Sequence, residues 1–154
     1  ALSIEEDGSF GAGDDALDLE LAVTYTGIEN ASVTAGYFFD NDARGAETDI
    51  FNLHGSYQVG KALLAAEYIA RDSDQPNVGE DAYMLLLDYD FTDKLGGAIR
   101  YSEYEITGTQ EGEKFTIAPN YAITESLGAI VEYSVGEENN TDSDTFAVEL
   151  TYTF

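Results

Sequence analysis

The chain has 154 residues, enough for one domain or one small barrel, and its 31 acidic against 6 basic residues give a formal net charge of -25. Such a charge excludes nucleic acid as a partner, because an acidic surface repels a phosphate backbone. Hydrophobic residues at 44% and aromatic residues at 12% exclude a disordered acidic tail, and the lack of cysteine excludes disulfides and thiolate metal sites.

Apolar and polar residues alternate along most of the chain, and turn-forming residues separate the alternating segments. A period of two is typical of a β-strand with one apolar and one polar face. In chain order the alternation predicts a short strand near 2–4 and nine longer strands at 17–25, 33–39, 51–59, 64–70, 83–91, 95–101, 115–123, 127–135 and 146–154. The last of these strands has the clearest apolar face, formed by Phe146, Val148, Leu150, Tyr152 and Phe154.

The connections between these strands differ in length. Four are short, at 27–30, 60–61, 92–94 and 124–126, whereas 7–15, 40–47, 72–80, 107–112 and 136–143 are longer and rich in Gly, Asp, Asn and Glu. Short turns that alternate with longer loops are typical of an up-and-down antiparallel sheet, with the turns at one end and the loops at the other.

The distribution of side chains between the two faces favours a barrel in a membrane. On the apolar face the aromatic residues collect near both strand ends, and smaller apolar residues lie between them, as expected for two water–lipid interfaces. We therefore expect an all-β fold: a transmembrane antiparallel up-and-down β-barrel of about ten strands, with 1–154 as a single domain. A soluble β-barrel carrier with its apolar face inside is the alternative.

Two phrases and the terminal strand carry a resemblance to a known family. The stretches from Tyr89 to Tyr101 and from Tyr121 to Tyr133 share the same turn pattern. We attribute the repetition to the recurring geometry of barrel hairpins. With the C-terminal aromatic strand, it resembles Gram-negative outer-membrane porin-like barrels, and the hairpins are similar to those of the porin-2-like family.

The resemblance implies a location in the bacterial outer membrane. It also implies that the chain is either a small whole barrel or the C-terminal part of a larger one. Under this resemblance the terminal strand 146–154 is the assembly signal read by the barrel-assembly machinery. The other implied partners are outer-membrane lipid and lipopolysaccharide, and the choice between a monomer and a homo-oligomer stays open.

Charged residues on the polar face are the candidates for a functional role in the lumen. They are Glu67, Arg71, Asp88, Arg100, Glu132 and Glu149. From the short turns we expect Ser56 opposite Glu67, Asn52 opposite Arg71, Asp88 diagonal to Arg100, and Glu132 opposite Glu149. Such a belt either forms structural salt bridges in a narrow barrel or lines a constriction that favours cations.

The leading prediction is passive diffusion of small hydrophilic solutes with a preference for cations, without an enzymatic activity or a cofactor. The alternative is a narrow structural barrel whose acidic loops bind divalent cations or a surface partner. Weak binding of calcium or magnesium by Asp40, Asp42, Glu47 and Asp49 stays open, although 40–51 does not match the EF-hand pattern. His54, the single histidine, has no second histidine or paired aspartates to support catalysis.

Overall fold

A computed structural model describes residues 2–5, 18–41, 47–73, 79–108 and 110–153, and of 2–5, 18, 40 and 41 it describes the backbone alone. The regular structure of these residues is one ten-stranded sheet. Its strands are β1 (Leu2–Glu5), β2 (Asp18–Tyr25), β3 (Ala31–Asn41), β4 (Glu47–Val59), β5 (Ala62–Ser73), β6 (Glu80–Asp90), β7 (Leu95–Ile106), β8 (Gln110–Ala122), β9 (Leu127–Glu138) and β10 (Thr141–Tyr152). Within these ranges, no helix has the length and apolar character that crossing a membrane requires.

Each strand pairs antiparallel with its neighbours in the chain, so the order in the sheet is the order in the sequence. This arrangement confirms the predicted up-and-down sheet of about ten strands. The outer edges of β1 and β10 have no paired strand among the described residues. Closure of a barrel must join these two edges, either to each other or through further strands, because a membrane barrel leaves no edge unpaired.

The two copies of the repeated phrase, one around Thr92 and one around Thr124, fold into the same turn. Thr92 Oγ1 accepts hydrogen bonds from the amides of Lys94 and Leu95, at 3.2 and 2.9 Å. Thr124 Oγ1 accepts the equivalent bonds from Ser126 and Leu127, at 3.2 and 3.0 Å. The repeated phrase is therefore explained by a threonine that satisfies the backbone of a short turn.

Two connections expected to be long are short, which corrects the prediction for 107–112 and 136–143. Strand β9 continues to Glu138 and β10 begins at Thr141, so Asn139 and Asn140 alone make the turn. Both asparagines have positive φ, at 50° and 61°, the conformation that a two-residue hairpin turn of type I′ requires. Likewise β7 reaches Ile106 and β8 begins at Gln110, with Gly108 at a φ of 72°.

The two faces of the sheet differ in burial. Large apolar side chains of the interior strands remain about 40% exposed, as at Phe51, Tyr83 and Ile117, and the described residues include no buried hydrophobic core. The opposite, polar face is mostly half-buried, and its Thr116 and Ser134 are only 3% and 2% exposed. The polar face is thus the enclosed one, which is the arrangement of a membrane barrel and argues against a soluble carrier with an apolar interior.

The apolar face carries the predicted aromatic belt at the long-loop end. Cross-strand register brings its members together in neighbouring pairs: Tyr37 with Phe51, Tyr68 with Tyr83, Tyr101 with Phe115, and Tyr133 with Phe146. The pairs join further through the ring contact of Tyr83 with Tyr101, whose centroids are 5.9 Å apart. The four pairs step from one cross-strand row to the next along the sheet, and together they mark one boundary of the apolar band.

Candidate lumen-lining site

The six charged residues predicted to face the lumen all lie on the enclosed polar face. Glu67 and Arg71 are on β5, Asp88 on β6, and Arg100 on β7. Glu132 is on β9 and Glu149 on β10. Their positions follow from the alternation of the strands, because the apolar residues between them face the other side.

The register of β4 with β5 corrects two predicted pairs. Glu67 lies opposite His54, not Ser56, and Arg71 lies opposite Ile50, not Asn52. The physical reason is the Gly60–Lys61 turn. With Gly60 at a φ of 58°, the two-residue turn pairs Val59 directly with Ala62, and this shifts every later pair by two residues along one strand.

The predicted opposition of Glu132 and Glu149 is also wrong. Glu132 lies opposite Ala147, and Glu149 lies opposite Ile130. The tight turn at Asn139 and Asn140 sets this register and removes the direct repulsion between the two carboxylates. The diagonal placement of Asp88 and Arg100 is confirmed, since Arg100 lies opposite Leu86 and Asp88 opposite Ala98.

The six residues do not share one cross-strand row. Following the hydrogen-bonded pairs from β4 to β10 places them in five of six successive rows of the polar face, and the row between Arg71 and Glu67 contains none of them. From the long-loop end these rows contain Arg71, then Glu67, then Arg100, then Asp88 and Glu132, and finally Glu149. Rows run obliquely around a barrel because its strands are tilted, so lying in different rows does not by itself place these residues at different heights.

Three side chains on β4 and β5 form a hydrogen-bonded chain, which we call the β4–β5 relay: His54, Asn52 and Glu67. Asn52 Nδ2 donates to Glu67 Oε1 at 2.8 Å, and Asn52 Oδ1 lies 2.9 Å from His54 Nδ1. Glu67 and Asn52 are half-buried, whereas His54 is exposed on the lumen face. The relay therefore couples an ionisable imidazole to a lumen carboxylate through one amide.

The sheet also brings together residues that alternation along single strands does not group. Arg71 lies opposite Glu80, which the sequence analysis had assigned to the acidic loop 72–80. Lys114 lies opposite Ser102, on the same face and in the same row as Glu67. The place of Lys114 directly before the apolar-face residue Phe115 is a usable sequence signal for its polar-face position, but Glu80 could be found only once the register of β5 and β6 was known.

A second polar cluster lies on the polar face of β8 and β9, and it is more buried than the β4–β5 relay. Thr116 Oγ1 donates to Ser134 Oγ at 3.3 Å, and Ser134 Oγ donates to Glu132 Oε1 at 3.4 Å. Thr116 and Ser134 are almost completely buried. Their burial, together with the bond to Glu132 in the next row, shows that the polar face is packed at this point.

The opposite face has a row of carboxylates just beyond the aromatic belt, and the belt tyrosines donate hydrogen bonds to them. Tyr68 donates to Asp81 at 2.5 Å, and Tyr101 donates to Glu103 and Glu113, at 2.8 Å each. Equivalent bonds join Tyr37 to Asp49 and Tyr83 to Glu103. We call these carboxylates, with Glu105, Glu111 and Glu137, the outer acidic girdle.

The girdle concentrates like charges, since Glu103 lies opposite Glu113 and Asp81 opposite Glu105. Five of its glutamates line one depression of about 200 Å³. In the described residues, no three such groups converge as metal ligands would. Of the four predicted loop ligands, Asp42 and the side chain of Asp40 lie outside the described residues, and Asp49 accepts a hydrogen bond from Tyr37.

Comparison with solved structures places this sheet in a known fold. It is similar to a loop-deletion mutant of OmpT, an outer membrane protein of Vibrio cholerae, with a TM-score of 0.69 and 21% identity over 92% of this chain and 56% of that one. It is also similar to OccK3 (OpdO) of Pseudomonas aeruginosa, with a TM-score of 0.70 and 18% identity over 89% and 49% of the two chains. The chain has the fold of an outer-membrane β-barrel.

A third match is the outer membrane protein opdK of Pseudomonas aeruginosa, with a TM-score of 0.61 and 16% identity over 89% of this chain and 48% of that one. The chain thus spans about half the length of the barrels it matches. No family model and no curated protein matches the sequence. The fold class is confirmed, and the named outer-membrane neighbours support the predicted location.

Proposed function

We propose that this barrel wall belongs to a porin-like channel of the bacterial outer membrane, through which small hydrophilic solutes diffuse passively with a preference for cations. The observation that carries the proposal is the enclosure of the polar face together with the exposure of the apolar face. A lumen lined by half-buried hydroxyl, amide and charged groups can exchange contacts with hydrated solutes. The likeness to the porin-2-like family is part of this proposal.

The charges of the polar face support the cation preference. Among the described residues, its basic side chains are Arg71, Arg100 and Lys114. Its acidic side chains are more numerous: Glu20, Glu67, Glu80, Asp88, Asp90, Glu132, Glu138 and Glu149. An excess of negative charge in a confined space raises the local concentration of cations and lowers that of anions.

The proposal is of a channel and not of an enzyme. His54 bonds to an amide and lies opposite a single carboxylate, which is a poor arrangement for activating a nucleophile. The terminal strand β10 is proposed to act as the assembly signal, through Phe146, Val148, Leu150 and Tyr152 on its apolar face. Phe154, the fifth residue of that prediction, lies outside the described residues.

Recording from planar lipid bilayers with the full-length protein tests the function. We expect discrete conductance steps and a reversal potential of the sign that cation preference gives in a salt gradient. Replacing both acids, as Glu132→Gln with Glu149→Gln, should reduce the cation-to-anion permeability ratio by about twofold. An unchanged ratio would remove these two acids as selectivity groups, and folded protein without conductance would overturn the channel function.

The outer acidic girdle favours a second candidate, a structural barrel that attracts divalent cations or an oppositely charged surface partner. Directly opposed carboxylates such as Glu103 and Glu113 are unfavourable unless positive charge lies nearby. The described residues of this face include no lysine or arginine outside the short turns. Folded protein that conducts no ions, and whose resistance to urea rises with added calcium chloride, would favour this candidate over the channel.

A further inference from the structure

The β4–β5 relay has a fixed direction, because only one orientation of its amide satisfies both neighbours. A carboxylate accepts hydrogen bonds, so Asn52 must turn its Nδ2 towards Glu67. This leaves Asn52 Oδ1, an acceptor, against His54 Nδ1. In this orientation Asn52 Oδ1 can accept a hydrogen bond only from a proton on His54 Nδ1, and the described contacts leave Nε2 free on the lumen side.

The carboxylate of Glu67 therefore lies beside a group, His54, that is positively charged only when it is protonated. When His54 is neutral, Glu67 contributes a full negative charge to the lumen. When Nε2 takes up a proton, the imidazolium stands directly across the β4–β5 pair from that carboxylate. Histidine is the side chain whose charge ordinarily changes between pH 5 and 8, and His54 is the member of the relay that can gain a positive charge.

The surroundings of the relay contain few competing charges. On β3, His54 faces Thr34, and the neighbouring polar-face residues Ser32 and Gly36 are uncharged. On β6, Glu67 faces Met84. Within β4 itself, Ile50 and Ser56 flank the relay.

On β5, Ala65 and Ile69 flank Glu67. The nearest basic side chain on that strand is Arg71, which lies two polar-face positions further and opposite Glu80. No other titratable group in the described residues therefore faces His54 and Glu67 directly.

We propose that the β4–β5 relay is the cation-selecting site of the lumen and that protonation of His54 turns its selectivity down. Glu67 supplies the attraction, Asn52 positions the carboxylate and the imidazole, and His54 reads the pH. This inference rests on the proposed channel function and adds to it a specific group and a mode of regulation. The solute favoured at neutral pH is a small hydrated cation.

Reversal potentials in planar bilayers, measured at pH 7.5 and pH 5.5 with the full-length protein, test the proposal. We expect the cation-to-anion permeability ratio of the wild type to fall about threefold on acidification, the size expected when one charge is compensated at close range in water. His54→Gln should remove the dependence of this ratio on pH. Glu67→Gln should show a low ratio at both pH values.

The outcomes separate the two proposals. A folded wild type without conductance overturns the channel function, whereas a conducting wild type whose pH response persists in His54→Gln overturns the relay alone. Unchanged selectivity in Glu67→Gln also overturns it. Each variant is first checked for heat-modifiable migration and a β-sheet circular dichroism spectrum, so that loss of the fold is not read as loss of selectivity.

The positioning role of Asn52 has its own spectroscopic test. Nitrogen-15 NMR distinguishes the two tautomers of a neutral histidine, and the His54 signal is assigned by its loss in His54→Gln. We expect the Nδ1-protonated tautomer in the wild type and a shift towards the Nε2-protonated form in Asn52→Leu. The same tautomer in both proteins would exclude Asn52 as the positioning residue.

Discussion

Single residues at the turns decide how the strands of this barrel pair. Asn139 and Asn140, which join β9 to β10, both have positive φ. Gly60, in the turn that joins β4 to β5, has a φ of 58°. Glycine adopts this conformation at low cost because it has no Cβ to approach the following carbonyl oxygen, and asparagine does so because its short polar side chain can form hydrogen bonds with the local backbone. These residues fix which side chains lie opposite each other on adjacent strands, including the pair of His54 and Glu67.

The turn between β9 and β10 gives a prediction about the backbone conformation of one residue, Asn140. Asn140→Ala should lower the free energy of unfolding by about 1 kcal/mol, the cost of placing alanine in the left-handed region. Asn140→Gly is the matched control and should leave stability within about 0.5 kcal/mol of the wild type. Urea unfolding in lipid vesicles measures both, and equal losses in the two variants would contradict the explanation by backbone conformation.

The register also shows what the sequence could not predict at the residue scale. The alternation correctly assigned Glu67, Asp88 and Arg100 to the polar face. It could not assign their partners, because a slip of two residues keeps every side chain on its face and changes only its neighbour. The predicted pair of Glu132 and Glu149 was wrong for this reason.

At the scale of the strand, β10 differs from the interior strands in its exposure. Phe146, Val148, Leu150 and Tyr152 are 61–67% exposed, against about 40% for apolar residues on the interior strands. A strand with one paired edge is expected to show this, because half of its lateral cover is absent. The same strand carries alternating faces, with Ala147 and Glu149 on the polar side.

The two faces of β10 can be compared with adjacent substitutions. Val148→Arg places a charge on the apolar face near the middle of the strand and should cost about 2–4 kcal/mol of stability in a bilayer. Ala147→Arg, one residue away and opposite Glu132, is the control and should cost less than about 1 kcal/mol. Folding yield and urea midpoints in vesicles measure the difference. Equal sensitivity at both sites would contradict the assignment of the faces.

At the scale of the whole molecule, the sheet separates its charges by face and by height. The apolar band lies outward, the tyrosine belt and the outer acidic girdle mark one boundary, and the polar face holds mixed charges with an acidic excess. Basic residues are confined to the polar face and the short turns in the part of the chain that the structure describes. The electrostatic field at the long-loop end is therefore strongly negative.

This field predicts a dependence on ionic strength. Raising the mean salt concentration from about 0.1 M to about 1 M shortens the screening length from roughly 10 Å to roughly 3 Å. We expect the cation preference of the channel to weaken over this range, because the girdle and the distant lumen acids no longer act on the permeating ion. Reversal potentials at a constant concentration ratio measure this, and a constant preference would place selectivity at short range alone.

The sequence by itself determined the strands, their two faces, the up-and-down order and the aromatic belts. Each of these depends on a period of two and on local turn residues, and both are properties of contiguous sequence. Only the tertiary structure decided which residues meet. The bonding of His54, Asn52 and Glu67, the facing of Arg71 and Glu80, and the crowding of Glu103 with Glu113 depend on the register between strands. In the β4–β5 and β7–β8 hairpins the register accompanies turn residues in the left-handed conformation, Gly60 and Gly108, and alternation along one strand does not encode which register a turn selects.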